Sequence, residues 1–221
     1  MFATPMLLQC GVPLLATLAS NQFSAALWTP IATRNYSKNS HLDRVLLFGV
    51  ASTGILGVFA GYHVIHLFSV ADFKRLFGIL ILCIVILAYR KKDLLSKDNS
   101  SHQTDRILPI FFGLPLGAYQ GIFGSGNTLF SCIMFSRYSG FGIKRSLAHA
   151  YSLAFVWCSL TALLFFLDGL MDWSVALPCA LGSFIGAYLG SKVGASLRSE
   201  TLSRICLLFG AAMGLKIIFF S

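Results

Sequence analysis

The chain reads as one and a half copies of a single membrane unit, and the second copy opens with a broken helix. Gly121-Ile122-Phe123-Gly124-Ser125-Gly126-Asn127 interrupts an otherwise apolar stretch. The sequence alone predicts that the first copy lacks the matching opening helix, since the chain starts just past where it would lie. Repeated bundles with a broken helix are a common plan of secondary transporters, whose binding sites lie between repeats at the bilayer midplane.

Composition fixes the broad class. Of 221 residues, 56% are hydrophobic and only 11% charged, against about 25% charged in soluble domains. Mean hydropathy is +0.76. Apolar stretches recur at the length of about 20 residues that crosses a bilayer. Seven spans are expected, near 12–33, 43–64, 70–90, 107–128, 145–167, 171–193 and 200–220. Residues 1–10 read as a half-helix or re-entrant piece, with 129–144 as its counterpart. No signal peptide precedes them, so the first helix is expected to direct its own insertion.

The net charge of +9 does not mark a nucleic-acid surface. The cations sit between apolar runs, as topology signals and contacts to the lipid bilayer require, with no nucleic-acid motif beside them. The densest cluster falls in 90–106, which the positive-inside rule places in the cytoplasm. Six cysteines lie in apolar surroundings without a C-x-x-C pair, so they imply packing, with no disulfide framework and no metal. No H-E-x-x-H, G-x-S-x-G or Walker loop occurs, which argues against an enzyme and implies no cofactor.

The repeat rests on register. Asp43 and Asp172, Gly57 and Gly186, Gly61 and Gly190, and Arg75 and Arg204 all differ by 129. Upstream the offset is 132, pairing Ala16 with Ala148. The expected organisation is an N-terminal repeat over 1–92, a polar linker over 93–106 and a C-terminal repeat over 107–221. Four helices per repeat would make the two units parallel. The expected fold is an all-α, polytopic transmembrane bundle of about seven spans, two parallel repeats with the first incomplete.

Glycines at 182, 186, 190 and 194, and at 113, 117 and 121, recur every fourth residue, the spacing that lets helix backbones approach closely in lipid. The cluster at Gly124, Ser125, Gly126 and Asn127 differs in kind. It reads either as a plain helix end followed by a turn, or as a break whose freed N–H groups face a cavity and attract an anion. His149 lies just inside a span, where an ionisable group is costly and faces the bundle interior. It reads as an anion or proton carrier, or as an interfacial histidine bonded to a neighbour. Ser152, Ser20 and Asn21 bring small polar groups to the same level. Asp43 and Asp172 sit where helices start and read as N-caps. Lys144 and Arg145 either steer anions or snorkel.

The run Gly117-x-x-x-Gly121-x-x-Gly124-x-Gly126-Asn127, the stretch Ala148 to Ser152, Asp172-Trp173 and Gly182 to Lys192 together resemble the TauE/SafE, or sulfite exporter-like, family of membrane permeases. Thr4-Pro5-Met6-Leu7, Asp43-Arg44, Gly57-x-x-x-Gly61 and Phe73 to Gly78 are similar to its first half. The resemblance covers nearly the whole chain, and two departures qualify it. The first repeat lacks its glycine-rich helix, and Gly-Ser-Gly-Asn stands where the family has a richer glycine run. It implies a permease of a small anionic solute such as sulfite or a sulfonate, in the plasma membrane. A non-transporting subunit derived from such a permease is the alternative reading, and a homo-oligomer stays open.

Overall fold

The computed structural model describes residues 3–38, 40–73, 75–76, 79, 107–124, 126–198, 200–202, 205 and 208. Seven helices are bounded among them: α1 (Ala3–Gln9), α2 (Leu14–Ser37), α3 (Arg44–Ile65), α4 (Ile107–Phe123), α5 (Asn127–Ser139), α6 (Ile143–Leu167) and α7 (Trp173–Ser196). No strand occurs among the described residues, and the fold is the expected all-α bundle. α3, α6 and α7 are each long and apolar enough to cross a membrane. The expected spans 70–90 and 200–220 and the 93–106 linker fall largely or wholly outside the described residues.

Helix starts follow local chemistry. The Asp43 carboxylate accepts from the Leu46 N–H at 3.1 Å, capping α3. Asp172 caps α7, accepting at 3.0 Å from the Ser174 N–H and at 2.6 Å from its hydroxyl. Those donors hold the Asp172 carboxyl below its ordinary range.

Packing in lipid rests on close backbone approach, and the α3–α4 pair is its fullest instance. A methyl group added at Gly57 would overlap the Leu114 carbonyl, one at Gly61 that of Ala118, and one at Gly117 that of Gly54. The Thr53 hydroxyl donates to the Ile110 carbonyl at 2.7 Å across the same seam. The register advances together on both helices, so α3 and α4 run parallel. In α7 the positions matching Gly57 and Gly61 are Gly186 and Gly190, and a methyl there meets nothing within 4 Å among the described residues.

Three contacts at one constant separation set α6 parallel to α3. The Asp43 N–H donates to His149 Nε2 at 3.0 Å. Trp157 Nε1 donates to the Ala51 carbonyl at 3.2 Å. Tyr62 donates to Asp168 Oδ2 at 2.5 Å. α7 runs parallel to α2, through Phe23 against Trp173 with ring centroids 5.4 Å apart and Asn35 Nδ2 donating to Ser191 Oγ at 2.8 Å. Tyr36 and Trp28 meet Tyr151, while Ala25 meets Ala154 and Cys158, so α2 and α6 are antiparallel.

That last pairing corrects the expected orientation of the repeats. Equivalent helices run in opposite directions, α2 against α6 and hence α3 against α7, so the described parts of the two units are inverted rather than parallel. The reason lies in 107–139. Phe112 stacks on Tyr138 and Tyr119 meets Phe130, so α5 folds back antiparallel along α4. The expected single crossing over 107–128 ends at Phe123 and reverses, which adds one change of direction.

Candidate functional site

The reversal between α4 and α5 is made by backbone conformations that glycine reaches without strain. Gly124 has φ +63° and Gly126 has φ +89°, both left-handed. Gly126 stands at the N-cap of α5, where no side chain caps the first turn. Ser125 between them lies outside the described residues.

α2 supplies what the broken end of α4 lacks. Asn21 Nδ2 donates to the Gly124 carbonyl at 2.8 Å, and Gln22 Nε2 donates to the Gln120 carbonyl at 3.0 Å. Gln120 answers with its own amide, donating to Gln22 Oε1 at 2.9 Å and to Cys158 Sγ at 3.1 Å. Gln22 and Gln120 are almost wholly buried. Two carbonyl oxygens at the end of α4, of Gln120 and Gly124, are thereby taken up by amides, while no side chain among the described residues caps the first turn of α5. The local field is that of a helix N-terminus, positive toward whatever faces it.

What faces it is a cavity of about 540 Å³ between α2, the α4–α5 break, α6 and α7. Asn21, Gln120, Gly124, Gly126, Asn127 and Thr128 line one end. Tyr36, Tyr151, Gly186 and Ser191 also line it. No charged side chain lines the cavity among the described residues. Asn127 accepts from Ser131 through Oδ1 at 3.2 Å, and its Nδ2 donates to no described residue. The arrangement offers hydrogen-bond donors and dipoles to a small solute, with no nucleophile and no acid–base pair at hand.

Of the residues expected from sequence, the structure brings Asn21, Gly124, Gly126 and Asn127 together at the cavity. Ser20 and Ser152 are not among its lining. Each donates instead to the carbonyl four residues back in its own helix, at 2.8 and 2.9 Å. His149 is fully buried outside the cavity lining. Its Nδ1 meets the Arg145 carbonyl at 2.8 Å and its Nε2 takes the Asp43 N–H at 3.0 Å. Its ring lies between Phe135 and Phe141. Both ring nitrogens are thus engaged, tying α6 to the start of α3.

Sequence reasoning missed Gln22 and Gln120. An uncharged amide in the middle of an apolar stretch must find a partner in lipid, and two of them in different spans were the available signal.

An inverted, all-α membrane bundle with a broken helix facing an internal cavity has the build of a solute permease. The chain belongs to the family described as Sulfite exporter TauE/SafE, which matches residues 1–217. It is 25% identical over 222 residues to "Probable membrane transporter protein ORF9" of Sinorhizobium sp, covering 99% of this chain and 84% of that one. It is 24% identical over 218 residues to "Probable membrane transporter protein YfcA" of Escherichia coli, covering 97% and 80%. No solved structure matches the chain. The protein is therefore an integral membrane protein of a transporter family, not an enzyme.

Proposed function

We propose that the chain moves a small oxyanion, of the sulfite or sulfonate class, across the cell membrane, and binds it at the N-terminus of α5. One observation carries this reading. Asn21 and Gln22 occupy two carbonyls at the α4 end, those of Gly124 and Gln120, and the N-terminus of α5 with the Asn127 amide lines the cavity beside them. An anion gains from the α5 dipole and from the Asn127 amide. A site built from dipoles without a full charge also suits transport, because the solute must leave as well as enter. The family's description as sulfite exporters supports the choice of a sulfur oxyanion.

The test is uptake of radiolabelled sulfite and sulfate into vesicles holding the purified chain. Saturable uptake is expected, and Asn127→Ala should reduce it about tenfold or more, the worth of one hydrogen bond to a charged group. Wild-type uptake by a well-folded Asn127→Ala protein would remove this residue, and the α5 site with it.

A further inference from the structure

A second pocket, of about 260 Å³, opens where the C-terminal ends of α2 and α7 meet the start of α6. Three lysines from three helices line it: Lys38 at the end of α2, Lys144 in the first turn of α6 and Lys192 near the end of α7. Asn35, Tyr36 and Ser40 complete its polar wall, and no carboxylate lines it among the described residues. Arg145, next in sequence to Lys144, turns away and packs 3.8 Å over the Phe141 ring.

We propose that this three-lysine pocket is a second binding site for a small free oxyanion, a vestibule from which the inner cavity is loaded. Three like charges lining one hollow, Lys144 half-buried and Lys38 and Lys192 exposed, give it a positive field that an anion among them would offset. Lys144 adds to the case, since the first turn of a helix disfavours a cation. Lys38, at the C-cap of α2, lies where a helix end favours one.

The pocket also adjoins the inner cavity. Tyr36 lines both, and its ring lies 5.8 Å from that of Tyr151, a cavity residue. Asn35 of the pocket donates at 2.8 Å to Ser191 of the cavity. One buried tyrosine is therefore common to the two spaces, and one hydrogen bond links their walls. Oxyanion binding here stands on the pocket's own geometry, and its role as a vestibule rests on the α5 reading.

Its test needs no flux. Ala195 lines the pocket, so Ala195→Cys in a cysteine-free background, with Ser196→Cys as a second position, reports access in zwitterionic vesicles. An anionic methanethiosulfonate should modify either thiol about tenfold faster than its cationic analogue, as local steering by a positive site predicts. Sulfate should protect saturably at constant ionic strength, and chloride should not. Replacing Lys38, Lys144 and Lys192 by glutamine should erase both effects, and arginine in their place should restore them. Preference for the anionic reagent without saturable protection would overturn the proposal, as an ordinary basic surface behaves that way. Protection by anionic lipid but not by sulfate would overturn it too, assigning the lysines to head groups.

Discussion

Asn21 and Gly124 stand 103 residues apart, and the amide of the first donates to the carbonyl of the second at 2.8 Å inside the bundle. This bond joins the first unit of the chain to the broken helix of the second. It also decides which polar groups the break leaves facing the cavity.

Removing that donor should therefore do two things. Asn21→Leu leaves the Gly124 carbonyl buried and unpaired, at a cost of about 1–3 kcal/mol. It also puts a bare acceptor beside the anion. Denaturant unfolding should shift by that amount, and the half-saturating concentration for sulfite should rise more than the maximal rate falls. Asn21→Asp, which cannot donate when ionised, should be worse than leucine for transport.

His149 should behave as an anchor. His149→Ala removes the acceptor of the Asp43 N–H, and should cost about 1–3 kcal/mol of stability. His149→Gln, able to donate and accept, should recover part of it. Uptake per folded molecule should stay near wild type in both. Loss of uptake without loss of stability would return His149 to the pathway.

Glycine substitutions should separate a packed glycine face from an open one. Gly117→Ala drives a methyl into the Gly54 backbone and should cost about 1–3 kcal/mol or more, the range for overpacking. Gly182→Ala on α7 meets nothing within 4 Å among the described residues and should be neutral or better. Thermal stability in detergent distinguishes them.

Both caps can be tested by substitution. Asp43→Ala should destabilise by about 1 kcal/mol, the usual worth of an N-cap. The Asp172 carboxyl is held below its ordinary range by Ser174. A carboxyl so lowered contributes stability above its unfolded value and loses it as pH falls through the folded one. Asp172→Ala should therefore be less stable than wild type near neutrality, and the difference should vanish in acid.

The class and the break were legible in the sequence, because lipid imposes long apolar runs and Gly124, Gly126 and Asn127 stand out against one. The inverted arrangement was not. α5 has thirteen residues and carries Ser131, Ser136, Ser139 and Arg137, too short and polar to read as a return pass. His149 showed its cost but not its partner, since the Asp43 N–H that satisfies it lies 106 residues away. Gln22 and Gln120 likewise explain each other only once α2 meets α4. Ser20 and Ser152 were expected near the pocket, but each bonds the carbonyl four residues back, a habit of serine that sequence level alone does not reveal.

The most direct measurement places a cysteine at the mouth of α5. Thr128 lines the cavity beside Asn127, so Thr128→Cys in a cysteine-free background reports on that helix end. An anionic methanethiosulfonate should react faster there than a cationic one, and methanesulfonate should slow the reaction saturably, with Asn127→Ala abolishing the protection. Equal rates for both reagents, with no protection by methanesulfonate in folded protein, would contradict an anion site at the break.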